Sequence, residues 1–583
     1  MVIRIIYLLT LVNFLATSSD LYCQSIKKDL INISKKRDIN FINFSAKDST
    51  GVRKKLKTPK NNYRTESNNV TNQLPYPIIF IHGLSSNHST WNSTTDWLDN
   101  EYNLIFGGRL DYCLDFDGDL TTANGNFYPE EGADIARFEY NLIPNGDYFY
   151  INFDVGIDGS VSPPITSPQN NLSNQAAIKK QGIALSDAIE VVLMTTGKSK
   201  VILFGHSMGG LASREYLQNN DIWQLDGAHH IAKLVTTGTP HGGSNASGSA
   251  LSLLAGIDES SDGIRDLRSS YFWSGDQGVY LEGGIEDSAV LFDSIFYPFY
   301  NLDVNCNGII NEQIIGLNEK YNPTDLEYSC IIGDFFGIGS DGIVTTSSQN
   351  IFNFINLNSN FQQNIYNISA SHIDLTSQYS INLSALDEPN FQELSYTIEL
   401  NKAYIGFINQ QSQNDLISDI DYFKFSIDEN NYFDINVENF SENLIEWNIF
   451  DSNNNNLIYN STESLTENST QIYLENGNYF LVFESIASEI NSQYNFSIET
   501  TLSTSESNIA NIKISPNPFD STINISSNLI FNKAQIYNSL GQKLMTLDLK
   551  PEQKIDLSEL KRGIYNITLV NRSQRKTFKI IKK

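Results

Sequence analysis

Cysteine is scarce in this chain. Four occur in 583 residues: Cys23 within the N-terminal apolar stretch, then Cys113, Cys306 and Cys330. So few thiols exclude a disulfide scaffold, and Cys306 with Cys330 is a possible bridge in an exported protein that spacing alone does not establish. No Cys/His spacing suits zinc. Positive charge is short as well. Against 67 Asp and Glu stand 39 Lys and Arg, a net charge of −28, which argues against nucleic acid as a partner and fits an exported protein. Long apolar runs are missing after the N-terminus, so no transmembrane span is expected once that end is removed.

The N-terminal run MVIRIIYLLTLVNFLA carries one arginine and is too short to cross a bilayer. It reads as a signal peptide over residues 1–23, with cleavage near Ser18 or Cys23. Residues 24–74 are rich in Lys and Arg (KKRD, VRKKLK) and poor in apolar side chains, the composition of a linker or propeptide. From 75 to 387, strand-like and helix-like runs alternate, which implies a mostly parallel sheet covered by helices. YPIIFIHG and FYINFD read as buried strands, and Asn174 to Leu193 as an amphipathic helix. Residues 388–505 turn Asn-rich with alternation of period two. Phe423, Phe425 and Ile427 form one face, Phe433, Ile435 and Val437 another, Tyr479, Leu481 and Phe483 a third. That pattern predicts a β-sandwich. A second all-β unit is expected over 511–583.

VILFGHSMGGLA, Val201 to Ala212, is the most informative stretch. An apolar strand runs into Gly-His-Ser-Met-Gly and a helix follows, the pattern of a nucleophile elbow that presents Ser207 above a sheet edge. A serine hydroxyl needs a base and a group to orient that base. The chain has seven histidines, and the order Ser, acid, His leaves His372 in SHID as the base. The acid belongs after a late strand, where Asp341 and Asp334 both qualify. Oxyanion donors are expected from the N–H of Met208 and from Leu84 in the loop FIHGLSS.

Together IHGLSSN, GHSMGG, TTGTPHGGS, SDGIV and SHID resemble the bacterial lipase family, including its relatives that deacylate lipid anchors. The resemblance implies an α/β-hydrolase fold with Ser207 as nucleophile, Asp341 as acid, His372 as base, and Leu84 with Met208 as oxyanion hole. It implies a cap drawn from Ser249 to Trp273. An Asp- and Asn-rich insertion after Gly107 departs from the better-known lipases. Residues 418–499 resemble the β-sandwich appended to secreted bacterial peptidases. ISPNPF, AQIYNSLGQKL and IDLSELKRGIYNITL resemble the C-terminal sorting domain of type IX secretion, which implies that machinery as a partner and a secreted or cell-surface protein.

No cofactor is expected in the chemistry. Structural calcium is an open expectation at three places. In the lipases resembled, a carboxylate two residues after the catalytic histidine and a glutamine six after it bind calcium; here these are Asp374 and Gln378, with Asp325 a guess for a remote third ligand. The other reading makes Asp374 a helix cap. DVNCNGIIN (Asp303 to Asn311) has calcium-loop spacing but Ile314 at the twelfth position, and DFDGD (Asp115 to Asp119) is a weaker candidate. The expected function is hydrolysis of a lipid or small ester through an acyl-enzyme. Thioester or polyester hydrolysis, acyl transfer, or a catalytically silent surface-binding module are the rival readings.

Overall fold

The computed structural model describes residues 43–45, 72–114, 135–156, 159–163, 172–246, 257–258, 261–270, 277–287, 301–355, 363–408, 419–439, 445–453, 456–461, 467–485, 492–500, 513–526, 531–538, 542–549, 554–570 and 575–583. The expected signal peptide, most of the basic segment and DFDGD lie outside them. The described chain divides into two compact units, Met1–Thr500 and Thr501–Lys583.

The first unit is built on a sheet of nine strands: β1 (Asn43–Ser45), β2 (Ile78–Ile81), β3 (Phe106–Leu114), β4 (Ile135–Tyr140), β5 (Tyr148–Asn152), β6 (Val201–His206), β7 (Ile231–Thr237), β10 (Glu327–Gly333) and β11 (Asn364–Ile368). A two-stranded antiparallel pair of β8 (Gly284–Ile285) and β9 (Gln313–Ile314) forms a separate small sheet. The order is β1-β4-β3-β5-β2-β6-β7-β10-β11, and β3 with β4 is the antiparallel pair in an otherwise parallel array. β2 and β6 are buried along their whole length, as expected of central parallel strands covered on both faces. Alternation sorts their side chains. Ile79, Ile81 and Leu203 face a cluster with Ala184, Leu185 and Ile189 of helix α2 (Ile178–Thr196). Ile78, Phe80 and Phe204 face the other way, onto Trp91 and onto Leu98 of helix α1 (Asn92–Tyr102). Helix α2 stops at Gly197, whose φ of 68° supplies the left-handed turn and whose N–H bonds Leu193 O at 2.8 Å.

The β-sandwich joins this second cluster directly. One of its sheets has the order β12-β14-β19-β16-β17 (Tyr396–Thr397, Ile420–Ile427, Gly477–Ser485, Ile445–Asp451, Leu457–Asn460), the other β13-β20-β15-β18 (Ala403–Ile408, Ser492–Thr500, Asn431–Asn439, Glu467–Leu474). Tyr396 meets Tyr76 with ring centroids 5.0 Å apart, and Phe407 meets Tyr102 at 4.9 Å. The sandwich therefore shares a core with the α/β layers. At their seam Asp387, Glu388 and Asp421 are all buried, beside the Lys233–Glu327 ion pair of 3.1 Å.

The second unit has its own core, including Phe519, Phe531, Ile536, Ile567 and Ile580, between sheets β21-β22-β25 (Lys513–Ser515, Thr522–Ser526, Lys554–Asp556) and β24-β23-β26-β27 (Lys543–Asp548, Lys533–Asn538, Gly563–Val570, Arg575–Lys582). No helix among the described residues is long and apolar enough to cross a membrane.

Candidate active site

The turn from β6 into helix α3 (Met208–Leu217) places Ser207 at φ 53°, ψ −126°, a conformation that costs a non-glycine residue energy and collects at functional sites. The flanking glycines make the turn fit. A Cβ on Gly205 would lie 2.5 Å from Gly210 N, and one on Gly209 would lie 2.6 Å from the carbonyl oxygen of His82. Neither neighbour is a movable side-chain tip, so only glycine suits either position.

His372 and Asp341 reach the serine from the next connections of the sheet. Nε2 of His372 lies 2.9 Å from Ser207 Oγ, and its Nδ1 lies 2.6 Å from Asp341 Oδ2. Oδ1 of Asp341 accepts from the N–H groups of Ile343 and Val344, at 2.9 and 2.7 Å. Asp334 is elsewhere in the same loop, where Oδ1 accepts from Gly339 N at 2.8 Å. Of the two acids that the sequence offered, Asp341 is the one beside the imidazole.

Met208 follows Ser207 in the chain, and Leu84 packs on the apolar cluster that holds Met208. Met208 opens α3, where helix geometry leaves its N–H without an intrahelical acceptor and favours negative charge. Gly83 lies against Ser207, so close that a Cβ there would be 2.6 Å from the serine Cβ. His82, a residue that sequence order set aside, orients this loop. Its Nε2 accepts from Phe153 N at 2.8 Å, which puts the proton on Nδ1, 2.8 Å from Gly83 O. Burial pushes its pKa down to about 4, so the ring stays neutral. Fixing the Gly83 carbonyl also fixes the Leu84 N–H on the opposite side of the same planar peptide.

Part of the expected cap is described. Helix α4 (Asp262–Leu267) and helix α5 (Val279–Glu282) bring Ile264, Leu267 and Leu281 against Met208 and Leu211, with Leu84 packed on that cluster.

The calcium expectations fare unevenly. Asp374 opens a short 3-10 helix, Asp374–Ser377, and its Oδ2 takes the Ser371 hydroxyl at 2.5 Å; Gln378 donates from Nε2 to Asp374 O at 3.3 Å. Asp325 lies before β10, at the amino-terminal ends of the parallel strands and away from the end that carries His372, bonded to His229 at 2.9 Å. Asp374 and Gln378 are thus neighbours on one turn, and Asp325 is not gathered with them. Nor does Asp374 cap the helix through its side chain. Asp303 spends both carboxylate oxygens on its own loop, at Asn307 N (3.0 Å) and Gly308 N (2.7 Å), as an Asn-Gly turn would. Cys306 and Cys330 form no bridge. Both are free and buried, each thiol pushed up to about 12 chiefly by burial, Cys330 inside the sheet and Cys306 in the loop carrying Asp303.

A mostly parallel sheet with helices on both faces and a strained serine between strand and helix define an α/β-hydrolase. Residues 74–296 match the PGAP1-like alpha/beta domain, and residues 513–583 match the secretion system C-terminal sorting domain. The protein is secreted or exposed at the cell surface. No curated protein matches the chain. Among solved structures, the gene lin2722 product from Listeria innocua is similar at 18% identity, over 55% of this chain and 97% of its own, with a TM-score of 0.31. An extracellular alpha/beta-hydrolase from a Paenibacillus species is similar at 12% identity, over 54% and 98%, with a TM-score of 0.25. The pre-peptidase C-terminal domain of a Bacillus anthracis collagenase is similar at 16% identity, over 18% and 91%, with a TM-score of 0.15.

Proposed function

We propose that the chain is a secreted serine hydrolase of carboxylic esters, with acyl lipids as the leading substrate class. One observation carries the reading: a hydroxyl, an imidazole and a carboxylate in line, 2.9 and 2.6 Å apart, at a strained elbow. Ser207 Oγ attacks the ester carbonyl carbon while His372 Nε2 takes the hydroxyl proton. Asp341 holds the ring and stabilises the imidazolium. The N–H groups of Leu84 and Met208 receive the oxyanion. As the intermediate collapses, the C–O bond to the alcohol breaks and His372 returns the proton to the leaving oxygen. Water then attacks the acyl-enzyme, giving its proton to His372, and the acid departs as Ser207 regains its hydrogen. The apolar cluster beside Met208 favours a substrate with a hydrocarbon acyl chain.

A fluorophosphonate probe with mass mapping, and a series of p-nitrophenyl esters of rising chain length, test this together. Labelling at Ser207 that disappears in Ser207→Ala, with turnover of at least one ester, is the expected result. A folded wild type that neither labels nor cleaves any ester would refute the proposal.

A further inference from the structure

We infer that His206, the residue before the serine, is a positioning residue for His372. The inference rests on the ester-hydrolase reading for its chemistry, but its geometry is independent of the substrate. His206 Nε2 lies 2.9 Å from the main-chain carbonyl oxygen of His372. A carbonyl can only accept, so the proton sits on Nε2. Burial first, then the neighbouring His372, pushes the His206 pKa down to about 3, and the ring keeps this neutral form. The two imidazoles have centroids 4.9 Å apart at 44°, and Trp91 meets His206 edge-on at 6.4 Å.

Packing alone does not account for a histidine here. Its Nδ1 is buried and has no hydrogen-bond partner, a loss that a hydrocarbon ring would avoid. What offsets that loss is the bond from Nε2. His372 lies beyond β11, between its end at Ile368 and the helix that starts at Asp374, so no strand ladder holds its main chain. Its N–H bonds Asp341 O at 3.0 Å, and its C=O is held by His206. With both main-chain groups bonded, the backbone at the base is fixed from two sides. His206 and Ser207 are also consecutive, so one rigid elbow presents the hydroxyl and holds the base that must face it. The 2.9 Å separation of Ser207 Oγ and His372 Nε2 is then set locally.

The test compares His206→Phe, which keeps a ring but removes the donor, with His206→Gln, which restores an N–H at similar reach. His206→Met is a second variant without a donor, flexible enough to fill the site if Phe does not fold. The measurements are kcat and KM for a p-nitrophenyl ester, the rate of fluorophosphonate labelling, and the melting midpoint. The donor-less variants should lose a factor of about 10² in kcat and in labelling rate with KM nearly unchanged, because a shift on the order of 1 Å at a reacting atom costs that much. Gln should recover most of the loss. Phe and Met variants that keep kcat within about threefold of wild type overturn the inference. So does a Gln variant as slow as they are, since the hydrogen bond would then be irrelevant. A wild type inert to probe and ester overturns the ester-hydrolase reading and takes this inference with it. A wild type that labels no faster than His206→Phe overturns the inference alone.

Discussion

Asp341 holds His372 twice: Oδ2 lies 2.6 Å from the ring Nδ1, and the main-chain carbonyl accepts the His372 N–H at 3.0 Å. The other carboxylate oxygen is committed to the N–H groups of Ile343 and Val344. An asparagine here would keep its oxygen on those two donors and turn its NH2 toward Nδ1. That forces the ring proton onto Nε2, facing Ser207, and the base is lost. Asp341→Asn should therefore lower ester turnover by about 10⁴-fold with the fold intact. Asp334→Asn, remote from the imidazole, should stay near normal. Steady-state kinetics of both variants decide it, and the reverse pattern would move the acid to Asp334.

Ser207 sits at φ 53°, a conformation that glycine adopts freely and that costs serine energy. Ser207→Gly should abolish turnover yet raise stability by on the order of 1 kcal/mol, the strain released being larger than the lost hydroxyl contact. Thermal melts of wild type, Ser207→Gly and Ser207→Ala check this. A glycine variant less stable than the alanine variant would show that the turn is not strained.

The site was more legible in the sequence than the layers around it. The elbow and the HG loop announce themselves because tight turns and close backbone approach demand glycine at fixed offsets. His372 emerged from chain order among few histidines. The same order rule dismissed His82 and His206, since it ranks candidates for the base and is silent on residues that hold peptide groups. Strand β3 was missed because RLDYC reads as polar. In the structure Arg109 and Asp111, two apart on one strand face, pair at 2.7 Å, and Asn152 donates to Asp111 at 2.9 Å. The inward faces of the sandwich were read correctly from alternation: Phe423, Phe425, Phe433, Ile435, Leu481 and Phe483 are all buried. Alternation carries no information about what packs on a sheet edge, so the shared core through Tyr76 and Tyr396 was invisible.

The buried acids at that seam make stability fall with rising pH. Burial pushes Glu388 from 4.5 up to about 8, and burial with neighbouring carboxylates raises Asp387 and Asp421 well above the usual range. A folded state that holds protons more tightly than the unfolded chain is most favoured below the unfolded pKa. Its advantage is lost between about pH 4.5 and about pH 8 as those protons leave. All five tryptophans precede residue 500, so tryptophan fluorescence reports the first unit without the second. Above pH 7 the buried histidines, lowered from 6.5, no longer titrate in either state, so in chelating buffer the melting midpoint should drop from pH 7 to pH 8.5, and Glu388→Gln should flatten the slope. A midpoint that rises over this range would contradict the burial of protonated acids.

The sorting unit should be separable from the chemistry. Among the described residues, its hydrophobic cluster, which includes Phe519, Ile536, Ile567 and Ile580, is built from the unit's own side chains. Deleting residues 501–583 should leave kcat, KM and the tryptophan-monitored melt unchanged. Delivery is a different matter, because residues 513–583 match the secretion system C-terminal sorting domain. In a host carrying that system, the full chain should reach the surface or the medium, and the truncated chain should collect in the periplasm. Cell fractionation with an esterase assay on each fraction reads both effects in one experiment. Truncated enzyme exported like the full chain would show that the tail is dispensable for delivery. Truncated protein without activity in any fraction would show that the tail supports the fold of the hydrolase, against the separate cores.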